Sequence, residues 1–175
     1  MALTDSLTGL LNRRAIDFWA SRQLSASVRH DFPVWAVMAD LDHFKSINDT
    51  YGHDAGDTVL RRFAEILKSN TRRSNICGRL GGEEFLVIIT HVEKANVAIA
   101  IERIRKQFAA QEFTVAHHTF GATASFGVAG IRTTASSDFN DLVTRADAAL
   151  YSAKRHGRNR IEFEIEQALS KNSKG

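Results

Sequence analysis

Three carboxylates stand at the mouths of apolar runs in this sequence. Asp40 nearly closes "VWAVMADL" (34–41), and Glu83 and Glu84 follow Gly81 and Gly82 in "RLGGEEFLVII" (79–89). Charge at the end of a buried strand is costly unless something there requires it. Strand period puts Asp40 and Asp42 on one side of the chain, provided the strand runs that far. If that strand lies beside the turn at 81–84, Asp40 and Glu83 converge at one edge of a sheet. Two carboxylates brought close repel, and one keeps its proton unless a cation lies between them. Oxygen donors so placed suit Mg²⁺, which binds through one or two carboxylates plus substrate phosphates. Gly81 and Gly82 would let the backbone approach a bulky ligand and take positive φ. The same four residues also read as a solvated hairpin tip.

The segment after the first carboxylate, "DLDHFKSINDTYGHDAGD" (40–57), favours the chemical reading. Phe44 and Lys45 open a short helix, and free N–H groups at a helix start attract anions. Lys45 adds a cation for phosphate. Asn48 offers an amide donor and acceptor, and Asp57 an acceptor. A carboxylate and an amide together can read a guanine edge, and the carboxylate disfavours adenine, which lacks the N1–H. Asn48 and Asp49 equally suit a turn, and Asp57 equally suits the N-cap of a helix starting at 58. The basic run "KRHGRNR" (154–160) fits either a helix C-terminus or a phosphate site.

The elements that must position these residues follow from periodicity. Residues 13–30 form a helix, with Ile16, Trp19, Ala20 and Leu24 inward. Pro33 separates it from a buried strand at 34–41. A short helix and a turn span 43–57, and a helix at 58–72 turns Val59, Leu60, Phe63, Ile66 and Leu67 to one face. "NICGRL" and "FLVIIT" are strands meeting at the Gly81-Gly82 turn. A helix covers 92–111. "FTVAHH" and "TFGATASFGVAG" read as strands. The helix at 138–157 stops at Gly157, and "RIEFEI" alternates as an edge strand. A hairpin in mid-chain makes the sheet mixed or antiparallel, and no G-x-G-x-x-G follows the first strand, so an all-parallel dinucleotide-binding layout does not fit.

The chain of 175 residues is long enough for one domain with a proper core. With 43% apolar and 25% charged residues it has the composition of a soluble globular protein, and no apolar run reaches membrane-spanning length. "MALTDSLTGL" lacks the pattern of a secretory signal. Cys77 is the one cysteine, which excludes an internal disulfide and fits a reducing compartment. His117 and His118 point to opposite faces if on a strand, so they make a poor metal pair. His43 is expected behind the Asp40 strand, and Trp19 and Trp35 in the core.

Taken together, "DSLTGLLNRR" (5–14), "DLDHFKSINDTYGHDAGD" (40–57), "RLGGEEF" (79–85), "SFGVA" (125–129) and "ADAALYSAKRHGRNR" (146–160) resemble the GGDEF domain, the bacterial diguanylate cyclase domain. The match runs from about Leu3 to Phe163. The resemblance implies an α+β fold with a palm-like or ferredoxin-like core, a central, mostly antiparallel five-stranded sheet flanked by helices, related to class III nucleotide cyclases. It implies a catalytic domain over 1–165 with a disordered tail at 166–175. The implied reaction condenses two GTP into cyclic di-GMP and two pyrophosphates.

Carried over residue by residue, the resemblance gives Asp40 and Glu83, with the Leu41 carbonyl, two Mg²⁺ or Mn²⁺ ions. Asn48 and Asp57 would read guanine. Phe44, Lys45, Lys154 and Arg158 would hold phosphates, and Glu84 would assist the metal or the attacking hydroxyl. Glu83 stands where the name-giving sequence has Asp, a common active variant. One domain holds one GTP, so a transient two-fold homodimer is expected. A sensory domain is expected upstream, the location is expected to be cytoplasmic, and neither nucleic-acid nor membrane contact is expected of this domain. The alternative is a non-catalytic domain that binds GTP or cyclic di-GMP as a sensor. The intact carboxylates argue against it.

The sequence departs from the family at its inhibitory product site, an R-x-x-D stretch ahead of the double glycine. Here it reads "RRSN": Arg72 matches, and Asn75 replaces the aspartate. An amide lacks the charge that pairs with guanine N–H donors. Weak or absent feedback inhibition is expected.

Overall fold

The computed structural model describes residues 2–131 and 138–165. The tail expected at 166–175 lies outside the described residues. Helix α1 (Arg13–His30) starts where the Asn12 side chain accepts a hydrogen bond from the Ala15 N–H, and it stops at Asp31 in the left-handed region. Pro33 then leads into β1 (Val34–Leu41). Two helices follow, α2 (Phe44–Tyr51) and α3 (His53–Asn70), joined through Gly52 at φ 91°. The hairpin is β2 (Ile76–Gly81) and β3 (Glu84–Thr90). After α4 (Lys94–Ala109) come β4 (Phe113–Val115), β5 (His118–Phe120) and β6 (Ala124–Gly130). Helix α5 (Phe139–Arg155) and β7 (Ile161–Phe163) complete the described chain. No helix among the described residues is long and apolar enough to cross a membrane.

The main sheet has the order β2-β3-β1-β6-β7. All pairings are antiparallel except β6 with β7, which are parallel and joined by the α5 crossover. This is the expected mostly antiparallel, five-stranded arrangement. Strand alternation sorts β1 into two cores. Val37, Ala39 and Leu41 pack with Leu60, Phe63, Ile101 and Ile104 of α3 and α4. Val34, Ala36 and Met38 pack with Ile16, Ala20, Leu24, Leu142 and Leu150 of α1 and α5. Phe63 anchors the first core, with its ring centroid 4.8 Å from those of Phe85 and Phe108. In the second, α5 lies directly on β6. A Cβ at Gly127 would stand 2.1 Å from the Leu150 nitrogen and 2.2 Å from the Ala146 oxygen, so only glycine permits the approach.

Several local expectations are corrected. Helix α3 begins at His53 rather than 58, so Asp57 sits inside its first turns and is not an N-cap. "FTVAHH" and the first part of "TFGATASFGVAG" do not join the main sheet. They fold back on each other as the β4–β5 hairpin, with Ala116 and His117 at positive φ in its turn, and only β6 enters the sheet. His43 is exposed rather than packed behind β1. Trp19 is 43% exposed beside Phe18 on the outer face of α1, because Ala15, Ile16, Ala20 and Leu24 already fill the inner face. Trp35 is half-buried, with its indole N–H donating to the Val92 carbonyl at 2.9 Å.

Candidate active site

Pairing of β1 with β3 brings the carboxylates together. Asp40 stands opposite Glu84 in the register, and the Leu41 N–H donates to the Glu83 carbonyl at 3.3 Å just beyond it. Asp40 is buried, Glu83 half-buried and Glu84 exposed. Burial pushes the Asp40 carboxyl up to about 6, with the Lys154 ammonium opposing the shift and the Glu83 and Glu84 charges adding to it. Lys154 reaches in from α5, with Nζ 2.9 Å from Oδ2 of Asp40. Among the described residues no group of three or more His, Cys, Asp or Glu side chains is gathered tightly enough to hold a metal by itself. What is present is a desolvated carboxylate, its glutamate neighbours and a main-chain edge, all oxygen donors of the kind hard divalent cations take.

The glycine turn is braced from the N-terminal segment. Gly81 (φ 147°) and Gly82 (φ 51°) adopt backbone conformations that L side chains rarely take, and a Cβ on either would meet open space. Arg79 donates from Nε to the Gly82 carbonyl at 2.9 Å and from Nη1 to both Asp5 carboxylate oxygens at 3.2 Å. Asp5 also accepts from the Thr8 N–H and hydroxyl, at 2.9 and 2.7 Å. Burial alone would raise the Asp5 carboxyl, but the Thr8 hydrogen bonds and Arg79 outweigh it and hold it below the usual range. Residue pattern alone assigns neither Asp5 nor Arg79 a role. The signal available is an Asx-type turn, D-x-x-T, near a strand arginine.

The nucleotide segment folds as a helical corner. His43 enters α2 at φ 53° and supplies no side-chain cap, and exposed Lys45 stands in the first turn. Phe44 and Ile47 turn inward. Gly56 of α3 lies against α2: a Cβ there would be 1.9 Å from Oδ1 of Asn48 and 3.1 Å from Cζ of Phe44. That contact sets Asn48 next to the chain position before Asp57. Oδ1 of Asn48 is buried against Gly56 without a hydrogen-bond partner. Asp57 is half-buried.

The basic cluster is shaped by the end of α5. The Arg158 N–H donates to the Ala153 carbonyl and the Gly157 N–H to that of Lys154, at 3.0 and 3.4 Å, which is a Schellman cap with Gly157 at φ 115°. Lys154 is thereby in the last turn and Arg158 just beyond it, exposed. Asp42, two residues beyond Asp40, is 4% exposed and saturated with donors. Its carboxylate accepts from the Ser125 and Thr123 hydroxyls, both at 2.7 Å, and from the Asn159 N–H at 3.0 Å.

Arg72 and Asn75 lie apart from these residues, in a groove of about 340 Å³ between the start of β2 and α4 that also includes Asn96 and Arg103. Oδ1 of Asn75 is buried there without a partner.

Comparison with known proteins shows the family of the chain. The family described as "Diguanylate cyclase, GGDEF domain" matches residues 2–160. The chain is 42% identical over 164 residues to the response regulator PleD of Caulobacter vibrioides, covering 92% of this chain and 36% of PleD. It is 36% identical over 160 residues to the diguanylate cyclase DosC of Escherichia coli, covering 91% of this chain and 34% of DosC. The chain thus spans about a third of the length of these relatives. Among solved structures, the GGDEF domain of DgcB from Caulobacter crescentus in complex with c-di-GMP superposes with a TM-score of 0.90 at 33% identity, covering 93% of this chain and 96% of that one. The active GGEEF domain of a diguanylate cyclase from Vibrio cholerae gives 0.84 at 33% identity, covering 90% and 99%.

Proposed function

The chain belongs to the GGDEF family of diguanylate cyclase domains, and on that premise we propose that it condenses two GTP molecules into cyclic di-GMP with release of two pyrophosphates. The observation that carries this reading is the buried Asp40 carboxylate set against Glu83 and Glu84 by the β1–β3 register, with Lys154 held on it. Asp40, Glu83 and the Leu41 carbonyl are the residues to hold two Mg²⁺ or Mn²⁺ ions. Such ions acidify an attacking 3′-hydroxyl and steady charge on the leaving pyrophosphate.

The chain's own groups do the rest. The uncapped N-terminus of α2 and Lys45 cradle phosphate oxygens, and Phe44 packs beneath that corner. Lys154 moves its ammonium from Asp40 to the triphosphate when the carboxylate is otherwise neutralised, and Arg158 joins it. The unpartnered Asn48 acceptor takes a guanine donor, and the Asp57 carboxylate takes another. Glu84, exposed at the start of β3, would assist the metal or the attacking hydroxyl. Each domain holds one GTP, so turnover needs two copies meeting about a two-fold axis. A Glu at position 83 is compatible with activity, since a similar Vibrio cholerae domain with GGEEF is described as active. GTP is a cytoplasmic nucleotide, which supports a cytoplasmic location, and an upstream sensory domain would govern pairing.

Incubation with GTP and Mg²⁺, followed by separation of the nucleotides, tests the reading. Cyclic di-GMP should accumulate with the wild-type chain, and Glu83→Ala should abolish it. A Glu83→Ala protein releasing pyrophosphate at the wild-type rate would show the cation assignment to be wrong.

A further inference from the structure

Asp42, two residues after Asp40 and one beyond the end of β1, has the residue type of a third cation ligand. Its hydrogen bonds argue against that role. Oδ1 accepts the Ser125 hydroxyl, and Oδ2 accepts both the Thr123 hydroxyl and the Asn159 N–H, all within 3.0 Å. The Asp42 N–H donates to the Thr123 carbonyl at 2.8 Å as well. Both oxygens are committed inside the protein, at a residue only 4% exposed.

The loop they hold is conformationally costly. Gly157, Arg158 and Asn159 take positive φ in succession, at 115°, 64° and 46°. Left-handed backbone costs most residues with a side chain roughly 1–2 kcal/mol, though Asn less, so Arg158 in particular is held there by its surroundings. The fixing comes from two directions. Asn159 donates its N–H to Asp42 at 3.0 Å and to the Ser125 hydroxyl at 3.2 Å. From the other side, Nη1 of Arg105 on α4 donates to Oδ1 and to the carbonyl of Asn159, at 2.8 and 3.3 Å. Arg105 is itself clamped by Glu102, at 2.6 and 2.8 Å.

From this geometry we infer that Asp42 is a positioning residue for substrate binding: through the Asn159 main chain it holds Arg158 in the left-handed turn that presents its guanidinium to the triphosphate. The inference rests on the phosphate role of Arg158 given above. Asp42 touches no substrate. It ties the strand that carries the cation-binding carboxylate to the loop that carries the phosphate clamp, so both halves of the pocket share one rigid reference.

The test compares Asp42→Ala, Asp42→Asn, Arg158→Ala and the double variant Asp42→Ala/Arg158→Ala in the full chain. Affinity for a nonhydrolysable GTP analogue with Mg²⁺ is read by calorimetry, KM and kcat from pyrophosphate release, and folding from the thermal midpoint. Asp42→Ala should weaken analogue binding and raise KM about tenfold, the effect of one lost charge-assisted anchor, with kcat changed far less. Asp42→Asn should stay within about threefold, because its amide oxygen can still accept from Asn159 while its NH₂ group donates to Ser125. In the Arg158→Ala background, Asp42→Ala should add almost nothing, since the two act through one contact.

Asp42→Ala that lowers the thermal midpoint yet binds the analogue like wild type overturns the inference, and so does full additivity with Arg158→Ala. If Arg158→Ala itself binds normally, it is the phosphate assignment that fails instead. Should Asp42→Ala not fold, Asp42→Ser replaces it, because its hydroxyl is one atom too short to reach the Asn159 N–H while it keeps a polar group beside Ser125. It should weaken analogue binding about tenfold in a folded protein, and wild-type affinity there is equally fatal.

Discussion

Replacing Asp40 with Asn should make the ligand-free protein more stable while removing its activity. The folded carboxyl sits at about 6 against an ordinary value of 3.8, chiefly because burial disfavours its charged form. At neutral pH the folded chain therefore carries an ionised group in an unfavourable place, and a difference of that size corresponds to about 3 kcal/mol. Asn keeps the shape and removes the charge. Lys154 loses its partner, but at 31% side-chain exposure it can turn to water, a change costing under about 1 kcal/mol. The net expectation is a gain of about 2 kcal/mol at pH 7.5, which moves a urea midpoint by about 1 M.

The sign follows from linkage. Between about pH 4 and pH 6 the folded chain retains a proton that the unfolded chain has released, so wild-type stability from this group is present below 4 and is lost as pH rises through 6. The advantage of Asp40→Asn should therefore be near zero at pH 4 and complete above about pH 7. Urea titrations followed by tryptophan fluorescence at several pH values measure it. Mg²⁺ with a GTP analogue should stabilise the wild type and leave the variant unmoved. A variant that is less stable than wild type at pH 7.5, or a difference that ignores pH, refutes the argument that burial strains Asp40.

At the degenerate inhibitory stretch, wild-type turnover should be little affected by added cyclic di-GMP, and Asn75→Asp should create inhibition by supplying the missing charge in the groove that holds Arg72, read as a fall in pyrophosphate release with product added. Gly127→Ala should be among the most damaging single-methyl additions in the protein, since its Cβ would fall 2.1 Å from a main-chain nitrogen of α5. Prising helix from strand should cost about 3 kcal/mol or more, seen as a drop in thermal midpoint, and a neutral Gly127→Ala would show that α5 floats on the sheet.

Apolar spacing in the sequence is enough to expose much of the fold. The bounds of α1 and β1, the strands around Gly81-Gly82 and the face of α3 carrying Val59, Leu60, Phe63, Ile66 and Leu67 all follow from it. The motif match supplies what spacing cannot, namely an expected fold and proposed roles for Asn48, Asp57 and Arg158. Three things stay hidden for physical reasons. Gly52 and Gly56 make the start of α3 look like loop, because Gly56 is there for close packing against Asn48 and Phe44 and not for a turn. The β4–β5 hairpin is concealed by a turn at Ala116 and His117, which carry no turn signature but take positive φ all the same. The Asp42 network joins positions 42, 123, 125 and 159, and the brace at the glycine turn joins 5 to 79. No local pattern records contacts made across that much chain.

The seam between α5 and β6 also determines what can move when nucleotide arrives. With Gly127 bringing helix backbone onto strand backbone, α5 has no room to slide or tilt toward the pocket. If Lys154 passes from Asp40 to the triphosphate as proposed, it would do so on its own flexible stem, by torsion about side-chain bonds and not by transport of the helix beneath it. Side-chain torsions of this kind take picoseconds to nanoseconds. On the proposed function, loading of GTP into a single domain would then need no helix movement, and the meeting of two loaded copies would be the step left for upstream control to act on.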